Sequence, residues 1–127
     1  MGFDQYKKTS ILTASREKVL LMLYEAALKS CKLAKIAYEK KDIAGKCKHI
    51  TKVHDIVLEL SNSLDFSKGP EISEQLQALY TFCSRQLLKA NLENDMAALD
   101  SVSKILTTLY EGWVAAIAQL DKEKGKK

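Results

Sequence analysis

The sequence predicts an all-α protein: an antiparallel up-down four-helix bundle with a short extended or partly helical N-terminal segment. Three observations carry that expectation. The chain has 127 residues, 46% of them hydrophobic, which suits one domain of the common size of about 100–150 residues. It holds five glycines and one proline, too few to punctuate an all-β fold, where turns recur every 8–12 residues or so. Its apolar residues recur at steps of three and four, the period of one helix face. The expected domain is residues 1–127, with 1–14 as a separate N-terminal segment and 122–127 as a basic tail. A chain of this size buries roughly two-thirds of its unfolded surface, so it needs no disulfide or metal staple.

Ser15 opens the first helix, because its hydroxyl can accept a free first-turn N–H. Glu17 then sits near the positive end of the helix dipole. This helix is expected to run to about residue 40. Asp42 can cap a second helix from residue 43 to about 61. Residues 61–70 read as the longest loop. Pro70 suits the first turn of a third helix, whose N–H groups lack partners anyway. That helix runs from 71 to about 92. Asn94 or Asp95 caps a fourth, to about residue 122. Short connections make sequential helices antiparallel neighbours.

Helices two to four each show one seam. Helix two has Ile43, Ile50, Val53, Val57 and Leu60, with Leu64 in the loop. Helix three has Ile72, Leu76, Leu79, Cys83, Leu87 and Ala90. Helix four has Leu99, Val102, Leu106, Leu109, Trp113, Ile117 and Leu120. Helix one is different. Its expected main seam is Val19, Met22, Leu23, Ala26, Leu33, Ala34 and Ala37. A second stripe, Leu20, Leu21, Tyr24, Leu28 and Cys31, lies roughly a third of a turn away at about 100° per residue. Either a neighbouring helix covers it or it forms a groove for another apolar segment. Residues 1–14 contain Phe3, Tyr6, Ile11 and Leu12 without a strong helix period. Leu12 or Ala14 can act as a hydrophobic staple on the first turn; Tyr6 and Ile11 reach further than a staple needs.

Charge is uneven. The net charge is +4, and residues 16–55 hold ten basic against five acidic groups, whereas residues 56–120 hold four against eight. A solvated helix face accounts for this, and a nucleic-acid surface would need a denser basic stripe or a known motif. Cys31, Cys47 and Cys83 are odd in number and form no C-x-x-C pair, which speaks for a reducing compartment and against zinc or thioredoxin-type chemistry. Residues 1–10 show no apolar signal-peptide core. The longest apolar runs, residues 19–24 and 113–118, are far short of a bilayer span.

Catalytic and metal patterns are lacking. His49 and His54 are five apart, about 140° around a helix, and do not share a face. No E-x-x-H di-iron pattern, Gly-rich phosphate loop or convergent carboxylate pair is present. A histidine phosphotransfer bundle is an alternative, but the surroundings of both histidines depart from its pattern. No enzyme activity, cofactor or metal is expected.

Three stretches carry a family resemblance. Residues 13–29, TASREKVLLMLYEAALK, closely resemble the start of helix one in the flagellar secretion chaperone family, FliS, which typically reads T-A-S-P-E-K-L and then a Leu-Met-Leu-Tyr-Asp-Gly-Ala type run. Residues 57–66, VLELSNSLDF, resemble its helix-two end. Residues 69–95, through Leu79-Tyr80 and Arg85-Gln-Leu-Leu-Lys-Ala-Asn91, resemble its third helix and following turn. Trp113 and the upstream Tyr6 are also typical. Arg16 stands where Pro is frequent, Ala26 where Gly is usual, and Pro70 where a second Gly is common. The resemblance implies a cytosolic chaperone that binds the disordered C-terminal segment of flagellin, prevents premature polymerisation and aids delivery to the export apparatus, with a co-chaperone as a further partner. Helix-in-groove binding of that segment makes Leu20, Leu21, Tyr24, Val53, Ile56, Leu60 and Tyr80 the expected anchors. Tyr6, Ile11 and Leu12 are then the expected cover that flagellin displaces. A self-associating helical adaptor, with weak homodimers through the second stripe of helix one, is the other alternative; no nucleic acid or membrane span is expected.

Overall fold

The computed structural model describes residues 15–125. The expected cover residues Tyr6, Ile11 and Leu12 lie outside the described residues, as does the end of the basic tail. Four helices follow one another: α1 (Arg16–Glu39), α2 (Ile43–Asn62), α3 (Pro70–Glu93) and α4 (Met96–Gly125), with a 3-10 turn, Phe66–Lys68, between α2 and α3. No strand occurs among the described residues. Each helix packs against two others, α1 with α2 and α4, and α3 with α2 and α4. The result is a closed square of antiparallel neighbours, as the sequence predicts.

The boundaries follow from local chemistry. The Ser15 hydroxyl accepts the Lys18 N–H at 3.2 Å and opens α1. The Asp42 carboxylate accepts the Gly45 N–H at 2.9 Å and opens α2. Pro70 is the first residue of α3. At the fourth helix, Asp95 rather than Asn94 is the N-cap, accepting the Ala98 N–H at 3.1 Å. Asn94 instead ends α3 in the left-handed region, φ 56°. Helix α1 ends at Glu39, within one residue of the expected boundary. There the Asp42 N–H donates to Ala37 O at 2.8 Å and the Lys41 N–H to Tyr38 O at 3.0 Å. This is a Schellman closure, with Lys41 at φ 63° where glycine is the usual residue.

The core draws Tyr24, Ala27, Cys31 and Ala34 from α1; Ile50, Val53, Ile56, Val57 and Leu60 from α2; Leu76, Tyr80, Cys83, Leu87 and Ala90 from α3; and Ala98, Leu99, Val102 and Leu106 from α4. Two seams differ from expectation. On α1 the buried line is Tyr24, Ala27, Cys31, Ala34 and Ala37, which takes two of its five members, Tyr24 and Cys31, from the expected second stripe. Val19, Met22 and Leu33, expected in the seam, are half-buried. Small residues bring the α1 backbone close to its neighbours, and larger side chains flank the contact. A helix apolar on two sides does not reveal by periodicity which side turns inward. On α4 the fully buried seam stops at Leu106; Leu109 and Trp113 pack on its edge, while Leu120 is 45% exposed. Lys35 meets Asp100 and Tyr24 meets Trp113, so Arg16 is level with about residue 120 of α4. The last turn of α4, which includes tail residues 122–125, therefore runs past the start of α1. At the outer ends of their seams, Ile43 and Ile72 are exposed too.

Candidate partner-binding surface

A buried polar hub fixes the middle of the bundle. The Tyr24 and Tyr80 hydroxyls lie 2.6 Å apart, and either can donate. The Trp113 indole N–H donates to the Tyr24 hydroxyl at 3.2 Å. Three helices, α1, α3 and α4, thus meet at one oxygen. The Tyr24 ring also lies 6.5 Å from that of Tyr110, whose hydroxyl donates to Glu25 Oε1 at 2.9 Å on the surface. Burial pushes both hub phenols up from their ordinary value; the bonds from Tyr80 and Trp113 partly offset this at Tyr24, while the bond to Tyr24 adds to it at Tyr80. Both hydroxyls therefore stay protonated and act as hydrogen-bonding groups, not as acids or bases.

The thiols are equally quiet. Burial pushes Cys31 up to about 12, with nearby Cys83 and Asp100 adding to the effect, and pushes Cys83 up to about 11. Because both folded values are raised, the thiols' contribution to stability is complete below the ordinary value of 9.0 and is lost as pH rises toward about 12. In the native protein at pH near 8, Cys31 and Cys83 are expected to resist iodoacetamide while half-buried Cys47 is alkylated. Mass spectrometry after a timed pulse checks this; equal labelling of all three would contradict the packing. Among the described residues no group of three or more His, Cys, Asp or Glu is placed to hold a metal ion, and His49 and His54 are each half-buried on α2.

Most of the expected anchors lie deeper than expected. Tyr24, Val53, Ile56, Leu60 and Tyr80 belong to the core, so the bundle itself occupies them. Their side chains face neighbouring helices because each sits on the seam that turned inward. Leu20 and Leu21 remain half-buried on the first turns of α1, and Leu20 leans on the core. Within the second stripe of α1, Tyr24 is covered from α4 by Tyr110 and Trp113.

The free apolar surface lies elsewhere. Along α3, Ile72 is 63% exposed and Phe82 42%, with half-buried Leu79 between them. Leu79 joins Lys104, Ile105, Thr108 and Leu109 of α4 around a shallow depression of about 230 Å³. On another side of α3, Leu88 is 55% and Leu92 75% exposed. Past Trp113, α4 exposes Val114 and Leu120 along with small alanines. Gly112 has open space where a Cβ would stand. Sequence reading passed over Phe82, Leu88, Leu92 and Val114. The signal was available: Phe82 and Val114 fall off their helix's seam by about 100°, and Leu88 and Leu92 by about 140–180°.

Architecture and site define an all-α four-helix bundle that offers partners apolar helix faces instead of reactive groups. Residues 2–120 match the family model described as flagellar protein FliS. The chain is 33% identical to the flagellar secretion chaperone FliS of Campylobacter jejuni over 113 residues, covering 89% of this chain and 88% of that one. It is 31% identical to the Bacillus subtilis protein of the same name, covering 96% and 90%, and 32% identical to that of Salmonella typhimurium, covering 84% and 79%. The fold matches a crystal structure of a flagellar chaperone from bacteria with a TM-score of 0.77 at 18% identity, over 93% of this chain and 96% of that one. The chain belongs to the FliS family. Its relatives are chaperones, a non-enzymatic role, and no helix among the described residues is long and apolar enough to cross a membrane.

Proposed function

We propose that this chain is a cytosolic export chaperone for flagellin. It binds the disordered C-terminal segment of newly made flagellin, prevents premature polymerisation and aids its delivery to the flagellar export apparatus. The observation that supports this reading best is the spread of exposed apolar residues along the long helices α3 and α4. A disordered client loses ordering entropy when it folds on binding, costing about 2–5 kcal/mol or more of the gross contacts. It therefore gains from an extended track that it can grip at i, i+3 and i+4. Leu20 and Leu21 are the direct anchors kept from the sequence reading. Tyr24, Val53, Ile56, Leu60 and Tyr80 act from beneath, by setting the shape of the helices that carry the track. Residues 1–12, with Tyr6, Ile11 and Leu12, are the proposed cover.

Titration calorimetry with the C-terminal tail of flagellin from the same organism tests the function. Binding is expected, and its absence at tens of micromolar, about 6 kcal/mol of affinity, would overturn the reading. Deleting residues 1–12 is expected to tighten the tail's binding; equal or weaker affinity rejects the cover. Light scattering separates the adaptor alternative, which requires a concentration-dependent dimer that the tail does not dissociate.

A further inference from the structure

Lys46 is a lysine only 1% exposed, placed in the first turn of α2. Its Nζ donates to Asn91 O at 2.9 Å and to Asn94 Oδ1 at 2.5 Å. Neither acceptor is a carboxylate. Burying a charge without a partner is costly, so something at this end of the bundle favours the ammonium. The end of α3 supplies it. The last four carbonyls of a helix have no intrahelical donor, and they gather the partial negative charge of the helix dipole. Asn91 O is one of these carbonyls. Lys46 therefore caps α3 from another helix.

Asn94 takes on a second meaning in this light. It ends α3 in the left-handed region, where glycine is the usual residue because it carries no Cβ penalty. Asparagine tolerates that region and adds an oxygen, which Lys46 uses. The next residue, Asp95, opens α4 through Ala98 N–H and meets Lys89 of α3 at 3.4 Å. The α3–α4 connection is only two residues long. Whatever fixes Asn94 thereby fixes the start of α4, a helix that α2 does not pack beside. The Asn91 side-chain oxygen is buried without a hydrogen-bond partner, so the cluster already lacks a donor and would lack more if Lys46 withdrew.

We propose that Lys46 is a latch: its ammonium, held by Asn91 O and Asn94 Oδ1, clamps the α3–α4 turn from α2 and sets the register in which α4 closes the bundle. The inference rests on this cluster and is independent of the flagellin reading. It predicts an inverted sign for a familiar substitution. At an ordinary left-handed helix end, Asn→Gly is neutral or stabilising. Here Asn94→Gly is expected to lower the melting temperature by about 5–10 °C, because it strands a buried charge. With Lys46→Met in the background, the same Asn94→Gly change is expected to leave the midpoint unchanged or raise it. Amide exchange should locate the effect, with Ala98 and Leu99 losing protection in N94G before the middle of α1 does. An unchanged or raised midpoint for N94G with Lys46 present overturns the latch, as does an equal drop in both backgrounds. Should K46M fail to fold, N94G alone decides, because Asn94 is exposed and its replacement leaves no cavity in the core.

Discussion

Replacing Tyr24 by alanine is expected to lower the free energy of unfolding by about 3–5 kcal/mol, the range for losing a buried aromatic side chain. Tyr24 is fully buried and lies where α1, α3 and α4 meet. The alanine variant removes its ring from the core, its contact with Tyr110 and its hydroxyl. The conservative Tyr24→Phe separates these contributions. It keeps the ring but deprives the Tyr80 hydroxyl and the Trp113 N–H of their shared partner. Leaving a buried donor unpaired costs about 1–3 kcal/mol. Urea unfolding followed by the fluorescence of Trp113, the single tryptophan, reads both variants and reports from the hub itself. A Tyr24→Phe variant as stable as the parent would show that the hydroxyl cluster contributes nothing net. A Tyr24→Ala loss below 1 kcal/mol would contradict the packing of the hub.

The second large effect is expected on α4. Leu106→Ala should cost about 2–5 kcal/mol, since Leu106 is wholly enclosed. Leu120→Ala, on the same apparent seam, should fall within about 0.5 kcal/mol of the parent, because its side chain already meets solvent. Denaturant midpoints at constant slope measure the pair. Similar losses at the two positions would mean that the buried seam of α4 continues to its end, against the structure.

The contrast between these leucines shows what sequence reasoning reaches. The fold class was legible because caps and breakers agree with the apolar period: Ser15, Asp42 and Pro70 each stand where a helix begins. The end of α1 falls within one residue of the expected 40, although Lys41, which closes it, takes a conformation that its side chain does not advertise. Asp95 and Asn94 were interchangeable as caps until the backbone showed one ending α3 and the other opening α4. Five of the seven expected anchors sit in the core for a physical reason. Periodicity marks which residues share a helix face, but not which of two apolar faces turns to the core. On α1 the small residues Ala27, Cys31 and Ala34 decide it by allowing close approach, whereas a hydrophobicity count favours the bulkier Val19, Met22 and Leu33. Lys46 was illegible altogether. Its charge reads as solvated surface, and its partners lie 45 and 48 positions away.

The contact of the first helix with the last orders events during synthesis. Helix α1 finds α2 as soon as α2 leaves the ribosome, but its other flank waits for Tyr110 and Trp113. At about 5–20 residues per second, translation needs roughly 4–15 s to travel from the end of α1 to Trp113. Throughout that interval Tyr24 lacks its indole partner, and an unfinished three-helix chain leaves the α4-facing side of that ring uncovered. Before it can protect another polypeptide, the nascent chain is itself an exposed apolar surface, and closure by its last helix ends that exposure.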